Sequence, residues 1–190
     1  MAPSREELEQ ARTRLLADVA APGLRVLFSG INPGLYTAWV GHHFARPGNR
    51  FWPVLHRSGF TPRLLAPGEQ QDLLALGLGL TNVAARATAR AEELTRPEIV
   101  AGGEILREKV RLLRPGWLAV LGVTAYRVAF DDPRAAVGEQ TLRIGDTGVW
   151  VLPNPSGLNA HYSAQALAEE FARLRERCVR PPEPTTARGR

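Results

Sequence analysis

Leu24-Arg25-Val26-Leu27-Phe28-Ser29-Gly30-Ile31-Asn32-Pro33-Gly34 is an apolar run closed by a tight polar turn. A second stretch, Val149-Trp150-Val151-Leu152-Pro153-Asn154-Pro155-Ser156-Gly157-Leu158-Asn159, has the same form: an apolar run, then a Pro/Gly-rich turn that carries asparagine. If both runs are parallel strands of one sheet, both turns leave its carboxyl edge, where open α/β sheets bind their ligands. Asn32 and Asn154, far apart in the chain, then meet over one pocket.

Around these runs, strands and helices alternate. Residues 117–121 are a short, continuously apolar strand of the kind that helices cover on both faces. Residues 141–144 and 149–152, flanking Gly145-Asp146-Thr147-Gly148, predict a hairpin-like pair at the sheet edge. Residues 78–84 make a weaker strand, because their glycine and asparagine suit a regular central strand poorly. Helices are expected over 51–57, 70–76 and 122–130, and from Ser163 to about 177. A longer one opens at Arg96-Pro97-Glu98 and runs to Arg114, with a stripe of Ile99, Ile105, Leu106, Val110 and Leu113. Ser4 with Glu7 fits a capping box opening a helix through about Val19, striped by Leu8, Leu15, Leu16 and Val19. The alternation predicts an α/β protein, a three-layer α/β/α sandwich around a central, mostly parallel sheet. Residues 31–50 are rich in glycine and proline and show no sustained periodicity, and loops of that length inside a domain are usually functional.

The bulk numbers narrow the chemistry. A chain of 190 residues, 44% hydrophobic and 23% charged, is most simply one soluble domain. No apolar run approaches the ~20 residues that span a bilayer. The charged N-terminus lacks a signal-peptide core, so a cytoplasmic location is expected. Cys178 is the sole cysteine, which removes disulfides, cysteine-based zinc sites and iron–sulfur clusters. His42, His43, His56 and His161 show no metal-site spacing. The net charge is +5 and Lys109 is the sole lysine, so arginine carries the positive charge. Arginine forks suit phosphates, although a GC-rich genome makes the same replacement for lysine.

The first turn is too short for a phosphate loop, and a Gly-x-Gly-x-x-Gly fingerprint is absent. Its glycines allow close backbone approach to a flat ligand, and Pro33 biases Asn32 towards an extended conformation. By themselves, Asn32-Pro33-Gly34 also reads as a structural turn and Phe44 as a core residue. Three motifs in order change that balance: residues 26–35; Phe44-Ala45-Arg46-Pro47-Gly48-Asn49-Arg50-Phe51-Trp52; and Asn154-Pro155-Ser156-Gly157-Leu158-Asn159. Together with Ala101-Gly102-Gly103, they resemble the mismatch-specific uracil/thymine-DNA glycosylase family, and within it the bacterial G:U mismatch-specific branch most closely. The likeness runs from about Pro22 to Ala166.

The resemblance implies a uracil-DNA glycosylase-like fold and a monofunctional DNA glycosylase without cofactor or metal. Such an enzyme acts as a monomer on double-stranded DNA that carries a mismatched or damaged pyrimidine. The glycosylase domain is expected over 21–179; outside the likeness, the sequence itself predicts an N-terminal helix within 1–20 and a disordered tail, rich in proline and charge, over 180–190. Asn32 matches the residue that positions the attacking water, and Phe44 the aromatic that stacks on the flipped base. Gly30, Ile31, Tyr36, Thr37 and Asn154 complete the base pocket, with main-chain N–H groups near Ile31 and Phe44 reading the base edge. Asn154 stands where stronger uracil glycosylases use histidine. Tyr36 either faces inward and excludes a thymine methyl or faces out as a loop aromatic.

Pro155, Ser156, Gly157, Leu158 and Asn159 resemble the wedge loop, with Leu158 entering the gap left by the flipped nucleotide. Ser156 and Asn49 or Arg50 are expected phosphate contacts. Two features depart from the bacterial branch. Ala160 stands where relatives often carry arginine, with His161 as a possible substitute, and Gly41-His42-His43 looks more like the thymine-processing branch. Uracil, thymine and cytosine adducts all stay open as substrates. The rival readings are an α/β hydrolase of free nucleosides and a non-catalytic DNA-lesion binding module.

Overall fold

The computed structural model describes residues 2–179. Its sheet has strands β1 (Val26–Gly30), β2 (Leu78–Asn82), β3 (Trp117–Leu121), β4 (Gly138–Ile144) and β5 (Thr147–Leu152), in the order β2-β1-β3-β5-β4. The pairs β1·β2, β1·β3 and β3·β5 are parallel, and β4·β5 is antiparallel. The expected hairpin at the sheet edge is therefore present, turning at Gly145 with a positive φ of 61°. Because β1, β3 and β5 are successive and parallel, the turns after Gly30 and Leu152 leave the same edge. Their strands lie about 10 Å apart, at ~4.8 Å per strand spacing.

The helices are α1 (Arg5–Gln10), α2 (Leu35–Val40), α3 (Phe51–Arg57), α4 (Arg96–Leu113), α5 (Val123–Ala129) and α6 (Ala164–Val179). Alternation along the strands sends Phe28, Leu80 and Leu152 to one face and Leu27, Val120 and Val151 to the other. The first face packs on α3 and α6 through Phe51, Leu55, Phe171 and Leu174, and the second on α4 and α5 through Leu106, Val110 and Tyr126. Phe28 meets Phe51, Phe60 and Phe171 with ring centroids 5.7, 5.3 and 5.9 Å away. Full burial of such a side chain stabilises the fold by roughly 1.5–3 kcal/mol. The three-layer α/β/α architecture stands.

Some local expectations fail for physical reasons. The N-terminal helix has its Ser4–Glu7 capping box but ends at Gln10, followed by a 3-10 turn over Ala11–Thr13. Leu15, expected on its apolar stripe, is 83% exposed. Val19 instead pairs with the outer edge of β2: its N–H donates to Leu80 O at 2.9 Å, and Leu80 N–H donates back at 2.7 Å. On α4, Ile105 is 64% exposed, and Gly102 and Gly103 hold the buried positions. A Cβ at Gly102 would lie 2.2 Å from Val83 O, and one at Gly103 2.2 Å from Ala129 O. The Ala101-Gly102-Gly103 motif thus serves close packing. The expected 70–76 helix is a 3-10 segment spanning Pro67–Leu76. Among the described residues no helix is long and apolar enough to cross a membrane. The tail expected over 180–190 lies outside the described residues.

Candidate active site

Gly30 ends β1 at the sheet's carboxyl edge, in register with Asn82 at the end of β2. A Cβ on Gly30 would lie 2.5 Å from Asn82 Oδ1 and 3.3 Å from Cε1 and Cζ of the Phe44 ring. Glycine is required there because Asn82, from the neighbouring strand, and Phe44, from a loop, close over the strand end. Phe44 stacks on Phe51 with centroids 4.1 Å apart and planes 21° from parallel. Its φ of +55° is a left-handed conformation that a bulky residue holds only when its surroundings impose it.

The preceding residue supplies the constraint. Buried His43 donates its main-chain N–H to Gln70 Oε1 at 2.8 Å and accepts at its carbonyl from Trp52 Nε1 at 3.1 Å. Its ring Nε2 lies 3.0 Å from Ala17 O; a carbonyl can only accept, so that nitrogen carries the proton. Burial depresses the His43 pKa, outweighing the Ala17 hydrogen bond and nearby Asp18, so the ring is neutral at neutral pH.

Asn32, two residues past β1, has its amide fixed. Its Nδ2 donates to Arg86 O at 2.8 Å and to Thr88 Oγ1 at 2.7 Å. With both N–H bonds engaged, Oδ1 is the polar atom left to accept a hydrogen bond. The segment carrying those acceptors is zipped to the turn: Thr88 N–H donates to Pro33 O and Leu35 N–H to Thr88 O. Arg86 is held in turn by Glu98 at the start of α4, with Nε–Oε1 at 2.6 Å. The Arg86 guanidinium, helped by hydrogen bonds from Thr95, holds the Glu98 carboxyl down at about 2. Ile31 packs its side chain on Gly122 after β3. Among the described residues, the main-chain N–H groups of Ile31 and Phe44 reach no protein acceptor. In α2, Thr37 is buried, while half-buried Tyr36 tilts against Trp39 at 5.8 Å.

The second loop is built from side-chain-capped turns. Asn154 Oδ1 accepts from Ser156 N–H at 2.9 Å, which leaves its own N–H groups to donate outward. Ser156 Oγ accepts from Leu158 N–H, and Asn159 bonds Asn154 O and His161 N–H. Leu158, at the tip, is 75% exposed. Pro155 is buried beneath the loop. A Cβ on Gly157 would lie 2.5 Å from Gly48 O, so this loop touches the one after Phe44 directly. Arg46, Pro47, Gly48 and Asn49 line a groove of about 270 Å³ with Ser156, Gly157 and Leu158.

Arg50, expected as a phosphate contact, turns its side chain to the protein's own main chain. Its main-chain N–H donates to Pro155 O at 3.0 Å, and its guanidinium donates to the carbonyls of Ser156 (2.8 Å), Asn159 (2.9 Å) and Tyr162. Its Nε is buried without a partner. The cation at the groove is Arg46, which is exposed and makes no ion pair among the described residues. Asn49 forms a turn just ahead of α3, its Oδ1 accepting from Phe51 N–H at 2.9 Å.

Sequence reading missed Asn82, Thr88, Arg86 and the role of Arg50. Asn82 had a local signal, an asparagine ending a strand beside Gly30; the others depend on what lies across the fold. Among the described residues no three His, Cys, Asp or Glu side chains gather as a metal site. Both loops, and the strands that align them, fall within residues 17–177, which match the family model described as the uracil DNA glycosylase superfamily, and the chain belongs to that superfamily.

Proposed function

We propose that the protein is a monofunctional, monomeric glycosylase of the bacterial G:U mismatch-specific type, excising uracil paired with guanine in duplex DNA. The observation that carries this reading is the orientation of Asn32. Its N–H groups are both spent on Arg86 O and Thr88 Oγ1, so its oxygen, just past the carboxyl end of β1, is the atom left to accept. An amide is no base at neutral pH, but that oxygen can accept a hydrogen bond from water and aim it at C1′. The C1′–N1 bond breaks first in character: its electron pair moves onto the pyrimidine while the sugar becomes oxocarbenium-like. Water then adds to C1′ and releases its proton to solvent, leaving an abasic site. Catalysis rests on positioning and leaving-group stabilisation.

Asn154 Nδ2 and the free N–H groups of Ile31 and Phe44 are the donors for charge growing on the base. Asn82, whose carboxamide offers a donor and an acceptor side by side, suits the imide edge of uracil. Flipping costs roughly a few kcal/mol, less at a mismatch, and stacking on Phe44 returns ~1–3 kcal/mol. Thr37, rather than Tyr36, is the buried member of the pair that sets room near pyrimidine C5. Leu158 enters the stack, while Arg46, Asn49, Ser156, Gly157 and Asn159 face the backbone and the widowed guanine. The ammonium of Lys109 is held by Asp18 at 2.5 Å and by Thr81 at 2.7 Å, which fits a hydrolase that forms no Schiff base.

The test is a duplex carrying one G:U pair. Strand scission is expected after alkali treatment and not before it, and Asn32→Ala abolishes it. Turnover of free deoxyuridine instead would mean a nucleoside hydrolase, and binding without scission a lesion-binding module. The exposed Leu158 has no task in the first of these.

A further inference from the structure

We infer that Arg50 couples the wedge to the base pocket, so that insertion of Leu158 and capture of the flipped base are one motion. The inference rests on the glycosylase reading above. Loop 153–163 lacks regular structure, yet its inward carbonyls must find donors. Those of Ser156, Asn159 and Tyr162 converge on the single guanidinium of Arg50, and that of Pro155 on the Arg50 N–H. Both Nη atoms are used, in directions that a lysine ammonium could not span. At its other end Arg50 opens α3, and the next residue, Phe51, carries the Phe44 ring at 4.1 Å. An unbroken line of contacts therefore runs from the stacking ring through Phe51 and Arg50 to the carbonyls on either side of Leu158. Gly48 against Gly157 forms a second, direct contact between the loops. With both Nη atoms spent on main-chain carbonyls, Arg50 is a positioning residue.

The test uses full-length Arg50→Ala, Arg50→Lys, Leu158→Ala and the Arg50→Ala/Leu158→Ala double variant. Flipping is read by 2-aminopurine fluorescence beside a 2′-fluorinated deoxyuridine opposite guanine, which resists cleavage; excision is read under single turnover on the ordinary G:U duplex. Arg50→Ala is expected to lower both flipping and excision about tenfold, with Arg50→Lys between it and wild type. The double variant should be no worse than Leu158→Ala within about twofold, because both lesions remove one coupled element. The salt dependence of binding to undamaged duplex should not change in the Arg50 variants, because the guanidinium itself takes no phosphate.

Multiplicative losses in the double variant would overturn the coupling, as would wild-type flipping in Arg50→Ala. A weakened salt slope would assign Arg50 to a phosphate instead. If Arg50→Ala does not fold, Arg50→Lys combined with Leu158→Ala gives the same additivity test. Wild-type protein that neither flips nor excises would defeat the glycosylase reading itself, a separate result from any Arg50 phenotype.

Discussion

Replacing Thr88 with valine removes one atom from the device that orients Asn32. The hydroxyl accepts from Asn32 Nδ2 at 2.7 Å, and the second acceptor, Arg86 O, sits at 2.8 Å. Valine keeps the branched shape, and the main-chain bonds of residue 88 to Pro33 and Leu35 do not involve the side chain. One neutral hydrogen bond is worth about 1 kcal/mol net, with a range of ~0.5–1.5. If all of that is felt in the aim of Oδ1, the excision step slows about twofold to tenfold, since 1.36 kcal/mol corresponds to a factor of ten. Arg86 O still repels a rotated amide oxygen, so the loss should stay well short of that in Asn32→Ala. The assay is single-turnover release of uracil opposite guanine at saturating enzyme, with Thr88→Ser, which keeps the hydroxyl, as control. Thr88→Val at the wild-type rate, or Ser and Val equally impaired, would refute the argument.

Gly30→Ala places a methyl 2.5 Å from Asn82 Oδ1 and 3.3 Å from the Phe44 ring; excision should fall about tenfold or more while melting shifts little, because a flexible carboxamide absorbs the clash. Gly103→Ala pushes a methyl to within 2.2 Å of Ala129 O with no side chain to yield, and calorimetry should show melting lowered by several degrees. Overpacking of this kind costs ~1–3 kcal/mol, at about 2–4 °C per kcal/mol for a domain of this size. Glu98→Gln should be less stable than wild type at neutral pH. The folded carboxyl sits at about 2 against an ordinary 4.5, so its contribution is complete above 4.5 and vanishes as pH falls towards 2. A stability gap that persists unchanged at the acid end would contradict the Arg86–Glu98 pairing.

The sheet was legible because its strands carry their burial in their composition. β3 is continuously apolar, and β4 and β5 announce their turn with Gly145-Asp146. β2 reads weakly because Gly79 yields to a contact that no local pattern encodes: a Cβ there would meet Val19 O at 2.7 Å. Helix α2 hides in the glycine-rich loop because its caps, Gly34 and Gly41, are themselves glycines, and Gly34 offers no side chain to mark the start. Asn32, Phe44 and the 154–159 turn stood out through the likeness of their motifs. Thr88, Arg86 and Arg50 did not, since an arginine that binds main-chain carbonyls looks in sequence like any arginine awaiting a phosphate.

The pairing of Val19 with Leu80 bears on how the molecule behaves among its own copies. β2 borders the sheet, and a bare parallel edge offers a row of unpaired amides on which another chain can grow a strand. One antiparallel residue, anchored in both directions, interrupts that row. Loosening it, as Val19→Pro would by deleting the N–H, should show as self-association in light scattering.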